Sequence, residues 1–423
     1  PSRSGLSPAP ATAAREVWRA SLAGRPTAPV IASNTVLVAT IDTHELTALD
    51  AQTGKKRWSL IADGAIDSPP TIYGDVALFG TRSGTVECVR LSDGALVWRF
   101  QAAPADVRTL CRQQVESLWP VHGSVLIVDD TAYFTAGRST YIDGGLFLYG
   151  LNPLTGEIKY RERLHFPPAV ALKPPADAST EKFSQNAVDY KTLIAPDRSD
   201  AFSMAGNLSD ILVADDQAIY LRHQKLSRDL KPLDERTHHL FSTSSLLDED
   251  ESYRSHWFYG NGDFSRLPVA YEWLTRGNWG GFASPLGRFL VFDKNTLWGC
   301  GWKSLALYKT DIRDIDRRLA KDFPSEGSPI VHQPLADELP IHVRAMIKAG
   351  DVLYLAGYPL DQKQPHLYGL PILDAGKLLE VDATNGKILA QYDLPVSPRF
   401  DGMATAYGRL YISLEDGSVL CRQ

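Results

Sequence analysis

"ALDAQTGKKRW", residues 48–58, decides the fold. An apolar run reverses at Gly54 and returns as a polar run that ends on Trp58. Glycine supplies the positive φ that a tight reversal needs, and the tryptophan offers a large face for packing against a neighbouring unit. The pattern returns as "CVRLSDGALVW" at 88–98, "GLNPLTGEIKY" at 150–160 and "EVDATNGKILA" at 380–390, with Gly94, Gly156 and Gly386 at the turn. Self-similarity of this kind marks a repeat architecture.

A second repeat lies just upstream of the first. A polar turn followed by a short alternating apolar strand occurs seven times: "SNTVLVAT" from Ser33, "GDVALFGT" from Gly74, "DDTAYFTA" from Asp129, "DDQAIYLR" from Asp215, "KNTLWGCG" from Lys294, "GDVLYLAG" from Gly350 and "YGRLYISL" from Tyr407. Most follow another apolar stretch, such as "APVIA", "PPTIY" or "HGSVLIVD", which gives an antiparallel pair joined by a tight turn. Two such pairs make a four-stranded sheet of about 40 residues, the size of a propeller blade. "REVWRASL", residues 15–22, is an amphipathic strand without a sheet of its own, while the last repeat lacks a fourth strand. Pairing the two would remove two exposed edges. The expectation is an all-β protein: a single seven-bladed β-propeller of four-stranded antiparallel blades over residues 15–423, closed by the N-terminal strand, with residues 1–14 as a tail or linker.

Composition narrows the function. The 423 residues, 44% apolar and 22% charged, suffice for a large buried core. A net charge of −6 offers no electrostatic footprint for a polyanion, so no nucleic-acid partner is expected. No apolar run approaches the roughly 18 residues of a membrane span, so no membrane insertion is expected. Cys88, Cys111, Cys300 and Cys421 are scattered, with neither metal-ligand nor haem spacing. "DEDE" at 248–251 lacks calcium-loop spacing, and His238 and His239 point to opposite faces if they lie on a strand, so no metal site is expected. The glycine-rich "TAGRSTYIDGG", residues 135–145, sits between two strands rather than before a helix and lacks the phosphate-loop pattern. Nucleophile-elbow, H-E-x-x-H and dinucleotide fingerprints do not occur.

On "ALDAQTGKKRW" and its relatives the chain resembles the PQQ-like repeat family, propellers that include BamB-like and quinoprotein-dehydrogenase-like members. "SLWPVHGSVLIVDDTAYFTAGRSTYIDGGLFLYGLNPLTGE" and "FDGMATAYGRLYISLEDGSVLC" are similar, more narrowly, to exported propellers of planctomycete-type bacteria that have no assigned function. The resemblance implies a periplasmic or otherwise exported protein. The opening "SRSG" is similar to a segment that follows further residues in those relatives, so the chain is expected to be part of a longer polypeptide. Dehydrogenases of the family typically carry an adjacent cysteine pair and eight blades; with no such pair and seven repeats, no cofactor is expected, and PQQ with calcium ranks last.

The resemblance also places first-to-second and third-to-fourth turns on one face, and the other connections on the opposite face. Nearly every insertion then falls on one side: residues 101–119, 135–145, 161–208, 222–238, 261–281, the helical-looking 311–339 and 358–376. Loops on a rigid scaffold carry function, so this face and the channel mouth are the expected site. Trp119, His122, Arg138, Tyr141, Asp143, Arg276, Trp279, His342, Arg344 and Asp401 are the candidate ligand-binding residues. Aromatic faces beside charged groups suit a sugar or uronate, while His122 titrates near neutrality. The leading reading is a ligand-binding or protein-interaction module for a glycan or protein partner. The alternative is a carbohydrate-active enzyme, a polysaccharide lyase or glycoside hydrolase, with His122, Tyr141, Asp143 or Asp401 as acid and base. A PQQ-dependent dehydrogenase comes third.

Overall fold

The computed structural model describes residues 6–7, 13–111, 114–165, 208–222, 224–233, 235, 237–242, 257–260, 286–300, 306–313, 333–360 and 375–423. The fold is all-β and built from antiparallel ladders, with one parallel pair at the edge of sheet 7. Sheet 1 contains Val30–Ala32, Thr35–Thr40, Glu45–Asp50 and Lys56–Ile61. Sheet 2 contains Thr71–Tyr73, Val76–Gly80, Thr85–Arg90 and Leu96–Gln101. Sheet 3 contains Leu126–Val128, Thr131–Ala136, Leu146–Leu151 and Ile158–Leu164. Sheet 4 is smaller, with Leu212–Ala214, Ile219–Leu221, Gln224–Leu226 and Pro232–Leu233.

His239–Ser242, Trp257–Gly260 and Leu286–Gly287 form a three-stranded sheet 5. Sheet 6 contains Phe289–Phe292, Thr296–Cys300, Leu307–Asp311 and Gln333–Ala336. In sheet 7 Leu6–Ser7 joins Ile341–Ala349, Val352–Pro359, Gly376–Asp382 and Ile388–Leu394. Sheet 8 contains Pro398–Ala406, Arg409–Leu414 and Ser418–Arg422, and its outer strand is Glu16–Ser21 from the other end of the chain, with Trp18 opposite Cys421. A ribbon, Arg108–Cys111 with Gln114–Ser117, stands apart.

The described residues thus form eight sheets of three to five strands, where seven four-stranded blades were expected. Sheet 5 escaped the repeat count because its strands are short and separated by long segments, and no glycine-turn pattern marks it. Two other expectations change. Gln224–Leu226 and Pro232–Leu233 are strands, so residues 222–238 are not one long loop. Gln333–Ala336 is the fourth strand of sheet 6, so residues 312–332 link its third and fourth strands rather than successive sheets, and residues 314–332 lie outside the described residues. Of the expected helical stretch, only Ile312 and Arg313 are helical among the described residues. Residues 261–285 link two strands of sheet 5 rather than successive sheets, and they lie outside the described residues.

Burial explains the strand order. Second strands such as Thr35–Thr40 and Thr131–Ala136 are buried throughout, whereas fourth strands such as Lys56–Ile61 and Leu96–Gln101 alternate exposed and half-buried residues. A strand covered on both faces is apolar without alternation; an outer strand is not. First strands of successive sheets lie against one another in chain order, except that Phe289–Phe292 of sheet 6 meets Trp257–Gly260, the second strand of sheet 5, and Val30–Ala32 also lies against Pro398–Ala406. The sheets share cores across their faces: Leu37 and Leu46 of sheet 1 pack with Ala77 and Phe79 of sheet 2, while Val36 and Val38 pack with Tyr411 and Val419 of sheet 8.

The quoted turns hold these faces together. Trp18 Nε1 donates to Ala51 O at 3.1 Å, Trp58 Nε1 to Leu91 O at 2.9 Å and Trp98 Nε1 to Pro153 O at 3.1 Å. Each ring covers a turn glycine: a Cβ on Gly54, Gly94 or Gly156 would approach the indole of Trp18, Trp58 or Trp98 to 2.6, 2.6 and 2.8 Å. The glycine thus supplies both the positive φ and the space for the neighbouring sheet's ring.

Candidate functional site

The expected site residues separate into groups along the elaborated face. His122 is buried in the connection between sheets 2 and 3. Its Nδ1 lies 2.5 Å from Asp67 Oδ2 in the preceding connection, and Arg82 Nε, just after the second strand of sheet 2, lies 3.5 Å from the same oxygen. Ser68 Oγ donates to the other carboxylate oxygen at 3.0 Å. Burial pushes the Asp67 carboxyl up, but the His122 ring, the Arg82 guanidinium and the Ser68 hydroxyl outweigh it and hold it down at about 2. Asp67 was not anticipated. Its signal was positional: "ID" at 66–67 and "VH" at 121–122 occupy the same place in successive repeats.

Arg344 is likewise buried, in the first strand of sheet 7. Its Nη2 donates to Glu415 Oε1 at 2.5 Å, and Arg399 Nη1 in sheet 8 donates to Glu415 Oε2 at 2.8 Å. One carboxylate thus bridges two guanidinium groups across the seam between sheets 7 and 8. His342 sits tilted on Tyr358, ring centroids 4.9 Å apart. Asp401 is exposed with φ 54°.

Four candidates do come together. Trp119 Nε1 donates to Asp143 O at 2.7 Å, and its ring meets Phe147 edge-on. Arg138 donates to Leu118 O at 2.8 Å and Ser117 O at 3.2 Å, and it pairs with the buried Glu116 carboxylate. Tyr141 is half-buried in the same loop, its backbone N–H donating to Ser139 Oγ at 3.1 Å. Loop 137–145 and the ribbon strand Gln114–Ser117 are therefore one surface. The ribbon's inner side carries Glu116 and Gln114, the latter accepting from Arg82 at 3.1 Å; its outer side exposes the opposed pair Leu110 and Val115. Arg276 and Trp279 lie outside the described residues.

Asp143 and Asp401, paired in the enzyme reading, belong to sheets 3 and 8, with sheets 1 and 2 between them in the order of sheet-to-sheet contacts. Among the described residues no group of three or more His, Cys, Asp or Glu is placed to hold a metal ion. None of the four cysteines is bonded to another. Burial pushes the Cys88 and Cys300 thiols up to about 12.

Repeated four-stranded sheets with first strands gathered together define a β-propeller protein. Residues 9–188 match the PQQ-like repeat family model described as "Outer membrane protein assembly factor BamB". It is 38% identical over 55 residues to an outer membrane protein assembly factor BamB of Shewanella oneidensis, a match covering 13% of this chain and 14% of that relative. Among solved structures, BamB of Moraxella catarrhalis aligns over 100% of this chain and 94% of its own at 13% identity and a TM-score of 0.39. The quinohemoprotein alcohol dehydrogenase ADHIIG of Pseudomonas putida HK5 aligns over 99% of this chain and 69% of its own, at 12% identity and a TM-score of 0.47.

Proposed function

We propose that the chain is a closed eight-bladed propeller that binds a protein partner through its loop-rich face in an exported compartment. Closure rests on Glu16–Ser21 in sheet 8, on Trp18 reaching Ala51 in sheet 1, and on the core shared by those two sheets. The observation that carries the binding role is the surface joined by Arg138. It fastens the ribbon to loop 137–145, and on that surface Leu110, Val115, Ile142 and Val107 are 72%, 66%, 49% and 44% exposed. Exposed apolar side chains within a polar surround suit a protein interface better than a sugar site. The buried charges at the mouth are committed to one another across seams, which suits a scaffold rather than acid–base chemistry. Among the described residues there is no adjacent cysteine pair and no group of three or more His, Cys, Asp or Glu placed to hold a metal ion.

The matched relative's name, an outer membrane protein assembly factor, supports the protein partner and the exported setting. No helix among the described residues is long and apolar enough to cross a membrane. A photo-crosslinker placed at Leu110 or Ile142, compared with one at Gln52 on the turn face, tests the reading in cells of the source organism. A discrete protein adduct at the first two positions alone is expected. Equal adducts on both faces, or turnover of an oligosaccharide by the purified chain, would overturn it.

A further inference from the structure

The inner edges of the eight sheets differ in length. Six first strands have three or four residues, while Ile341–Ala349 and Pro398–Ala406 have nine each. A long free edge presents a row of backbone N–H and C=O groups, which natural proteins cover. Here the cover comes from the start of the chain. Leu6–Ser7 adds to Ile341–Ala349 as a parallel strand, with Leu6 beside Lys348 and Ser7 beside Ala349. The Ser7 hydroxyl is hydrogen-bonded to that of Thr405 on the neighbouring first strand.

Both partners sit at the turn-face ends of their strands, next to the turns at Gly350 and at Tyr407–Gly408, and so away from the loop-rich face. The segment then returns outward. Ala13 is fully buried in the core between sheets 7 and 8, and Arg422 Nε donates to its carbonyl at 2.7 Å. Glu16–Ser21 follows as the outermost strand of sheet 8. A stretch read as a tail thus pairs with the innermost strand of one sheet and contacts the third strand of the next.

The geometry points to a strand-accepting site at the turn-face end of the inner edge of Ile341–Ala349, filled in cis by the N-terminal segment. Its occupant in trans is an extended peptide rich in small and hydroxyl-bearing residues, since Ala349 and the Thr405 hydroxyl are what the occupant meets. Backbone pairing supplies the affinity, as in other strand-addition sites. Two paired residues are little on their own, so the cis segment holds its place through the high effective concentration that its tether gives. The site is independent of the partner proposed for the loop-rich face.

A chain lacking residues 1–12 and a fluorescent synthetic peptide of residues 1–12 test this by anisotropy. Binding to the shortened chain at least about ten-fold tighter than to the full chain is expected, because the tethered copy competes. Equal binding to both, or none to a folded shortened chain, overturns the site. Should the shortened chain not fold, the full chain carrying Leu6→Cys, Lys348→Cys and Cys111→Ser decides. After mild oxidation a peptide map joining positions 6 and 348 is expected, and its absence overturns the placement.

Discussion

Sheets 1 to 3 and sheet 4 share one strand plan but are fastened differently. At the seams into sheets 1, 2 and 3 an indole from the preceding sheet lies over a turn glycine and donates to a turn carbonyl. At the seam into sheet 4 the corresponding side chain is Tyr160, which stacks on Tyr133 of its own sheet, ring centroids 6.5 Å apart. Tyr133 instead reaches across, its hydroxyl donating to Arg228 O at 2.8 Å. The receiving turn has no glycine. Leu230 adopts φ 69° there and is buried, so the turn's own side chain fills the space that an incoming ring would need. The strands differ too: those of sheet 4 have two or three residues, against mostly six in sheet 1. An aromatic placed over glycine couples a sheet to its neighbour and lets its strands run long.

The most direct way to break this contrast is Trp18→Ala, which empties the seam between sheets 8 and 1. Loss of a largely buried tryptophan costs about 3–5 kcal/mol, read as a lower denaturant midpoint. An unchanged midpoint would show that the N-terminal strand does not hold those sheets together. Next in size is a pair of glycine substitutions that separates backbone strain from packing. Gly54 and Gly74 both have positive φ, 70° and 56°, but a Cβ at Gly54 meets Trp18 whereas one at Gly74 meets nothing within 4 Å. Gly74→Ala should therefore cost about 1–2 kcal/mol from the left-handed backbone alone, and Gly54→Ala about 1–3 kcal/mol more. Equal losses would remove the indole from the explanation.

A smaller effect concerns pH. Asp67 is held at about 2 in the folded chain, below the roughly 3.9 of an unfolded aspartate, so its contribution is fully present above about pH 4 and is lost as pH falls through about 2. A loss of roughly 2 kcal/mol across that window is expected in denaturation curves of the native chain. Asp67→Asn should flatten that part of the profile, and a profile that keeps its slope would assign the acid sensitivity to other carboxylates.

What could be read from the sequence follows the same division. Gly54, Gly94 and Gly156 with Trp58 and Trp98 are local signals, because turn and ring lie within a few residues of each other, and they located sheets 1 to 3. Sheet 5 gave no such signal: Trp257–Gly260 and Leu286–Gly287 are short and far apart in the chain. Residues 312–332 do not read as a link within one sheet because Gln333–Ala336, with its proline, does not read as a strand. At the mouth, His122 and Arg344 stood out as polar residues beside apolar strands. Their partners Asp67 and Glu415 lie 55 and 71 positions away, a pairing fixed by the packing of successive sheets rather than by local pattern.

Native-state hydrogen exchange resolved along the chain tests the seam account most directly. It predicts that amides of Leu46–Leu49, Val86–Val89 and Phe147–Gly150 exchange slowest and at similar rates, with Ile219–Leu226 faster by about 100-fold or more. The Ser418–Arg422 amides should join the slow group through their pairing with Glu16–Ser21. Uniform exchange across sheets 1 to 4, or fast exchange at Ser418–Arg422, would contradict it.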